Sequence, residues 1–220
     1  MEIKTLLKRR VLRDDVAEYL MESILKGELN PGDKIVESKL ARELSISQGA
    51  VREAIRDLIA QGVLETEPYK GTRIRTLTKE QLDDYYDVRT EIEALAVRWS
   101  ILKHQSKYLD LAYLKSCVDN MKICVDNNDS KNMRKHDMAF HLAIVQAAHS
   151  ESLEKAWNSL GNYYWTYIAV YYDHAASLLQ AQVVKHRTMY EAIATSDVNA
   201  YASCVRGHYF DTNQLFPNKI

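Results

Sequence analysis

The chain has 220 residues, 46% of them apolar, which suffices for a buried core and excludes wholesale disorder. Its 29 basic and 30 acidic side chains nearly cancel, so contact with nucleic acid has to come from a local patch. Cys117, Cys124 and Cys204 form no CxxC pair, which argues against a disulfide framework or a thiolate zinc module and for a reducing compartment. No stretch approaches the roughly 20 continuous apolar residues of a membrane span, and the basic start Met1 to Arg13 lacks the apolar segment of a signal peptide. The expectation is a soluble, cytoplasmic protein.

Glycine and proline crowd the first third (Gly27, Pro31, Gly32, Gly49, Gly62, Pro68, Gly71), while residues 72–216 hold only Gly161 and Gly207 and no proline. A region so free of breakers reads as stacked helices. The boundary falls between Thr76 and Glu80, with Thr78 as a helix cap, giving domains 1–76 and 77–220.

In chain order, Val16, Leu20 and Ile24 predict an amphipathic helix that Gly27 ends, followed by a turn at Asn30-Pro31-Gly32-Asp33. A short helix carries Leu40, Ala41 and Leu44. After the turn Ser45-Ile46-Ser47, the inward face of the next helix is Val51, Ile55, Leu58 and Ile59. Two helices across a tight turn are a helix-turn-helix. Val63–Thr66 and Thr72–Arg75 predict a hairpin, the wing.

The opposite face of the third helix carries Gln48, Gly49, Arg52 and Arg56, with Ser47 placed to cap it. Arginine at Arg52 suits a bidentate guanine contact and Gln48 an adenine, while the helix start and Ser47 suit phosphate. Lys70, Gly71, Arg73 and Arg75 belong to the wing and suit phosphate or the minor groove. The competing reading pairs Arg56 with Glu53 and leaves Arg52 in water.

Beyond Gln81 the pattern is helical. One run holds Tyr85, Val88, Ile92, Leu95 and Ala96, a second Leu111, Leu114, Val118 and Met121, and a third Met138, Leu142, Ile144 and Val145. Further helices are expected over Ser152–Tyr172, Leu178–Thr195 and Val198–Asn213, the last opened by Ser196 and Asp197. The fold class is therefore mainly α: an N-terminal winged helix-turn-helix, then an all-α antiparallel helical bundle.

Asp137 and His141 stand at i and i+4 on one helix face, with Phe140 and Ile144 turning that face inward. His186 and His208 sit among apolar helical positions of two later helices. One carboxylate and three imidazoles suit Zn²⁺, Ni²⁺ or Mn²⁺ with positions left open, but an inward histidine is more often hydrogen-bonded to a core partner than bound to metal. His104, His136, His149 and His174 lie elsewhere, so histidine is not reserved for this cluster.

The tracts GELNPGDKIVESKLARELSIS and VREAIRDLIAQGVLETEPYKGTRIR resemble the winged helix-turn-helix of the GntR superfamily of bacterial transcription regulators. The resemblance implies a homodimer on a short palindromic operator. Where that family has Arg-Thr-Pro before VREA, Gln48-Gly49-Ala50 stands here, a departure bearing on the bases read. Asp137-x-x-x-His141, then HRTMYEAIATSDVNAYASCVRGH from His186 to His208, resemble the metal-binding FadR-type regulatory domain called FCD, as do Arg89 and Glu93 in DVRTEIEALAVR.

This second resemblance implies that Asp137, His141, His186 and His208 hold a divalent metal, zinc first, with nickel or manganese as alternatives. It also implies a small organic acid in the bundle, with Arg89 facing it. The helix from Leu153 has only Lys155 as a cation where relatives add an arginine, and Tyr163, Tyr164, Trp165 and Tyr167 form an aromatic stripe suited to core or dimer packing. The expected function is a ligand-responsive transcription regulator, a repressor by default and not an enzyme. The alternatives are a metal-dependent enzyme, against which the lack of HExxH and of a phosphate-binding glycine loop counts, and a regulator whose metal is purely structural.

Overall fold

The computed structural model describes residues 3–25, 28–160 and 176–208. They divide into two compact units, one ending at Leu77 and the other beginning at Thr78.

In the first unit α1 (Ile3–Leu25) buries Val16, Leu20 and Ile24 and packs on α3. The turn at Asn30–Asp33 closes through Asp33 N–H donating to the Asn30 carbonyl at 2.9 Å, with Gly32 at φ +92°. Strand β1 (Lys34–Ile35) leads into α2 (Glu37–Glu43), whose Leu40 and Ala41 are buried. Ser45, in the left-handed region at φ 55°, turns the chain into α3 (Gln48–Ala60). Then β2 (Leu64–Glu67) and β3 (Gly71–Ile74) form the hairpin.

The sheet has the order β1-β3-β2, all antiparallel, with Lys34 opposite Arg73 and Thr66 opposite Thr72. Gly71 opens β3 at φ +86°, and a Cβ there would stand 3.4 Å from Lys34 Cε. Both the backbone angle and the crossing lysine favour glycine.

Differences from the sequence expectation have physical causes. The two-residue strand β1 is too short to show an alternation in the sequence and is defined by its pairing with β3. Ile59 is 36% exposed, because α3 turns Ala50, Val51, Ala54, Ile55 and Leu58 inward and the small alanines let that face approach its neighbours. The hairpin strands sit one residue off the expected bounds, as cross-strand pairing rather than composition fixes the register.

The second unit begins with α4 (Lys79–Arg98), which widens into a π turn at Trp99–Lys103. Its start is a full capping box: Gln81 N–H donates to Thr78 Oγ1 at 3.2 Å, and Thr78 N–H to Gln81 Oε1 at 3.1 Å. Helices α5 (Leu111–Asp126), α6 (Ser130–Ala147) and α7 (Glu151–Ser159) follow, capped by Asp110, Asp129 and Ser150. Last come α8 (Ala176–Ala194) and α9 (Val198–Arg206), the latter capped by Asp197 after Ser196 at φ 57°. Helix α5 packs on α6 and α8, α9 on α4 and α8, and α4 on α6 and α7.

Here too the inward face of α4 differs from the apolar run. Val88 is 49% exposed, and the buried line is Leu82, Tyr85, Tyr86, Arg89, Thr90, Glu93, Ala96 and Val97. Two charged residues hold inward positions because they satisfy each other. Leu111, in the first turn of α5, is exposed at 37%. The tyrosine-rich stripe at Tyr163, Tyr164, Trp165 and Tyr167, and residues 209–213, lie outside the described residues. Among the described residues no helix is long and apolar enough to cross a membrane.

Candidate functional site

On the winged unit, Ser47 caps α3 by accepting from Ala50 N–H at 3.3 Å, and Gln48 and Gly49 are exposed in its first turn. Arg52 and Arg56 are exposed on the same helix. Arg52 Nε donates to Glu37 Oε2 at 3.2 Å, and Arg56 to Glu53 at 2.9 Å. At the wing, Lys70 pairs with Glu67 at 2.8 Å, while Arg73 lies between Glu65, at 3.0 Å, and Glu67. Four candidate DNA-facing cations thus have a surface carboxylate partner. Such pairs are worth about 0–1 kcal/mol, so a phosphate replaces the carboxylate at little cost. Tyr69, at the wing tip with φ 65°, is fully exposed. The acidic partners went unnoticed in the sequence, apart from Glu53.

In the helical unit the structure brings Asp137, His141, His186 and His208 together. All four are buried, and one ligand atom from each lies within 4.8 Å of the others. Helix α6 supplies Asp137 and His141, and α8 supplies His186. His208 is not on a helix as expected: Gly207 is the C-cap of α9, and His208 follows in the turn. That turn carries the imidazole inward. The Phe140 ring stands edge-on to His141 and His186, with centroids 5.7 and 5.2 Å away.

The protonation pattern follows from the partners of the distal ring nitrogens. His141 Nδ1 is 2.6 Å from Glu93 Oε2, and His186 Nδ1 is 2.8 Å from the Gln182 carbonyl oxygen. A carboxylate and a carbonyl oxygen only accept, so both Nδ1 atoms carry hydrogen, which in a neutral ring leaves Nε2 as the lone-pair atom. Yet His141 Nε2 is 3.3 Å from His186 Nε2 and 3.1 Å from His208 Nε2, and His186 Nε2 is 2.7 Å from Asp137 Oδ1. In that tautomeric form acceptors face acceptors, an arrangement suited to a cation held among them. Asp137 Oδ2, also buried, finds no hydrogen-bond partner among the described residues. Burial, reinforced by His186, His141, Lys185 and Arg89, holds His208 well below the ordinary histidine range, so this ring stays neutral and fit to ligate. The donor set fits a divalent metal such as Zn²⁺.

Arg89 is 2% exposed. Its Nε donates to Glu93 Oε1 at 2.9 Å, one terminal nitrogen donates to Tyr85 Oη at 2.8 Å, and its Cζ lies 4.5 Å from the Trp157 ring centroid. Glu93, whose contact with the cluster went unread in the sequence, also accepts from Trp157 Nε1 at 3.3 Å and lies 3.5 Å from Tyr201 Oη. Burial, with Glu93 adding to it, pushes the Tyr201 hydroxyl well up, which keeps it a donor.

A winged helix-turn-helix followed by a helical unit with a buried polar centre defines a class, the two-domain DNA-binding transcription regulator. Residues 12–74 match the bacterial regulatory proteins of the gntR family, and residues 84–211, more than half of the chain, match the FCD domain. The chain belongs to the GntR regulators that carry an FCD domain. It is 29% identical over 191 residues to the "Probable D-xylose utilization operon transcriptional repressor" of Paenarthrobacter nicotinovorans, covering 87% of this chain and 82% of that one. It is 28% identical over 172 residues to the Glc operon transcriptional activator of Escherichia coli K12, covering 70% and 67%. In fold it matches a GntR regulator from Rhodococcus sp. RHA1 with a TM-score of 0.74 at 21% identity, over 94% of this chain and 99% of that one. The protein is a DNA-binding transcription regulator and not an enzyme.

Proposed function

We propose that the regulator is a metal-dependent, ligand-responsive repressor that acts as a homodimer on a short palindromic operator in the cytoplasm, where the DNA is. Ser47, Gln48, Gly49, Arg52 and Arg56 meet the major groove, and Lys70, Gly71 and Arg73 its flank. Asp137, His141, His186 and His208 hold the metal, zinc first, and Arg89 faces a small carboxylate effector. The observation that carries this reading is the convergence of lone pairs from three imidazoles and a carboxylate on one buried point. Charge balance supports the ligand class: Asp137 and Glu93 against Arg89 and a divalent ion leave one positive charge in the buried cluster, which a carboxylate neutralises. The metal, when bound, supplies a Lewis-acidic position open to such an anion.

A ligand weakens DNA binding only by favouring one of two arrangements of the protein. The test is the affinity of zinc-loaded and chelator-treated protein for the DNA adjoining its coding region, with and without lactate or succinate. A carboxylate-dependent loss of roughly 5- to 150-fold, seen only with metal, is expected. DNA affinity indifferent to both additions would reduce the metal to a structural role.

A further inference from the structure

We propose that Glu93 is a positioning residue of the metal centre: from α4 it fixes the tautomer and orientation of His141 so that Nε2 faces the metal. The inference rests on the metal reading above and adds a residue to it.

Glu93 is 0% exposed, and an ionised carboxylate there is costly without compensating donors. The Arg89 guanidinium donates to Oε1 at 2.9 Å and the Trp157 indole N–H at 3.3 Å, and Oε2 lies between His141 Nδ1 at 2.6 Å and Tyr201 Oη at 3.5 Å. The groups come from α4, α7, α6 and α9. A mere fold clamp would need only the i, i+4 pair with Arg89; here the second oxygen takes the distal nitrogen of a candidate ligand. Glu93 itself is no ligand, because it meets His141 on Nδ1, across the ring from the Nε2 that joins the cluster. The contrast with His186 is informative. That ring is oriented by the Gln182 backbone carbonyl, which any residue supplies, whereas His141 leans on a charged carboxylate that fixes the tautomer and raises the basicity of the ligating nitrogen.

The experiment measures Zn²⁺ affinity by competition with a chromophoric chelator in the full chain, beside the melting temperature of the metal-free protein. Glu93→Gln keeps the size and an acceptor but loses the charge, and is expected to bind Zn²⁺ about 10- to 100-fold more weakly. Because Glu93→Gln strands the buried Arg89, the double variant Arg89→Met/Glu93→Gln, which removes both charges, is measured too, with the same loss expected. Imidazole ¹H–¹⁵N spectra of the zinc-loaded wild type should show His141 protonated at Nδ1. Unchanged Zn²⁺ affinity in folded variants, with only the melting temperature lowered, overturns the proposal and leaves Glu93 a fold clamp. Failure of the wild type to bind Zn²⁺ overturns the metal reading itself.

Discussion

Glu67 illustrates how one side chain shapes the candidate DNA-facing surface. Its carboxylate holds Lys70 and Arg73 at the wing, where phosphate would otherwise take both cations. A unit charge about 4 Å from another is worth about 1 kcal/mol in water, so Glu67→Gln should tighten binding to any duplex roughly fivefold at low salt. Operator and random DNA should gain equally, since phosphate contacts carry no sequence information. Anisotropy titrations on both duplexes measure this, and unchanged affinity would mean that the wing stays off the backbone. That Asp137, His141, His186 and His208 come together was legible from spacing and resemblance, because a candidate ligand set needs His or Asp at inward positions. Glu93 was harder to see in its role, since nothing in sequence spacing ties α4 to His141; only the fold brings positions 93 and 141 to 2.6 Å.

At the scale of elements, punctuation made the winged unit readable. Gly32, Ser47 and Gly62 each interrupt an apolar period where the chain turns. Strand β1 escaped because Lys34 and Ile35 become a strand through their partners Arg73 and Thr72 and through nothing of their own. Helix α4 misled because its inward line Leu82, Tyr86, Arg89, Glu93 and Ala96 keeps helical spacing but includes a charged pair, which an apolar count discards. The recognition helix supports a sharper prediction. Arg52 is tied to the rest of the unit by an exposed pair with Glu37, so Arg52→Ala should leave the melting temperature nearly unchanged. Binding to the operator should fall by about 1–3 kcal/mol and random-duplex affinity far less, because a lost base contact removes discrimination. Equal losses on both duplexes would make Arg52 a phosphate contact.

At the scale of the whole molecule, a metal held by the buried cluster would tie the stability of the helical unit to its binding. Neutral imidazoles and a carboxylate whose lone pairs face one another repel unless a cation lies among them, and burial makes protonation of His208 an expensive substitute. A metal that binds only the folded state adds about 2.7 kcal/mol at a free concentration 100 times its dissociation constant. For a helical unit of this size that is roughly 10 °C in melting temperature. Chelation should therefore lower the unfolding transition of the helical unit by that order, and added Zn²⁺ should restore it. The winged unit contributes none of the four ligands, so an isolated fragment ending at Leu77, if it folds, should melt at the same temperature with and without chelator. Calorimetry on the full chain and on the fragment separates the two. A chelator-insensitive full-chain transition would mean that the cluster is stable as a hydrogen-bonded core, and metal dependence of the regulator would fall with it.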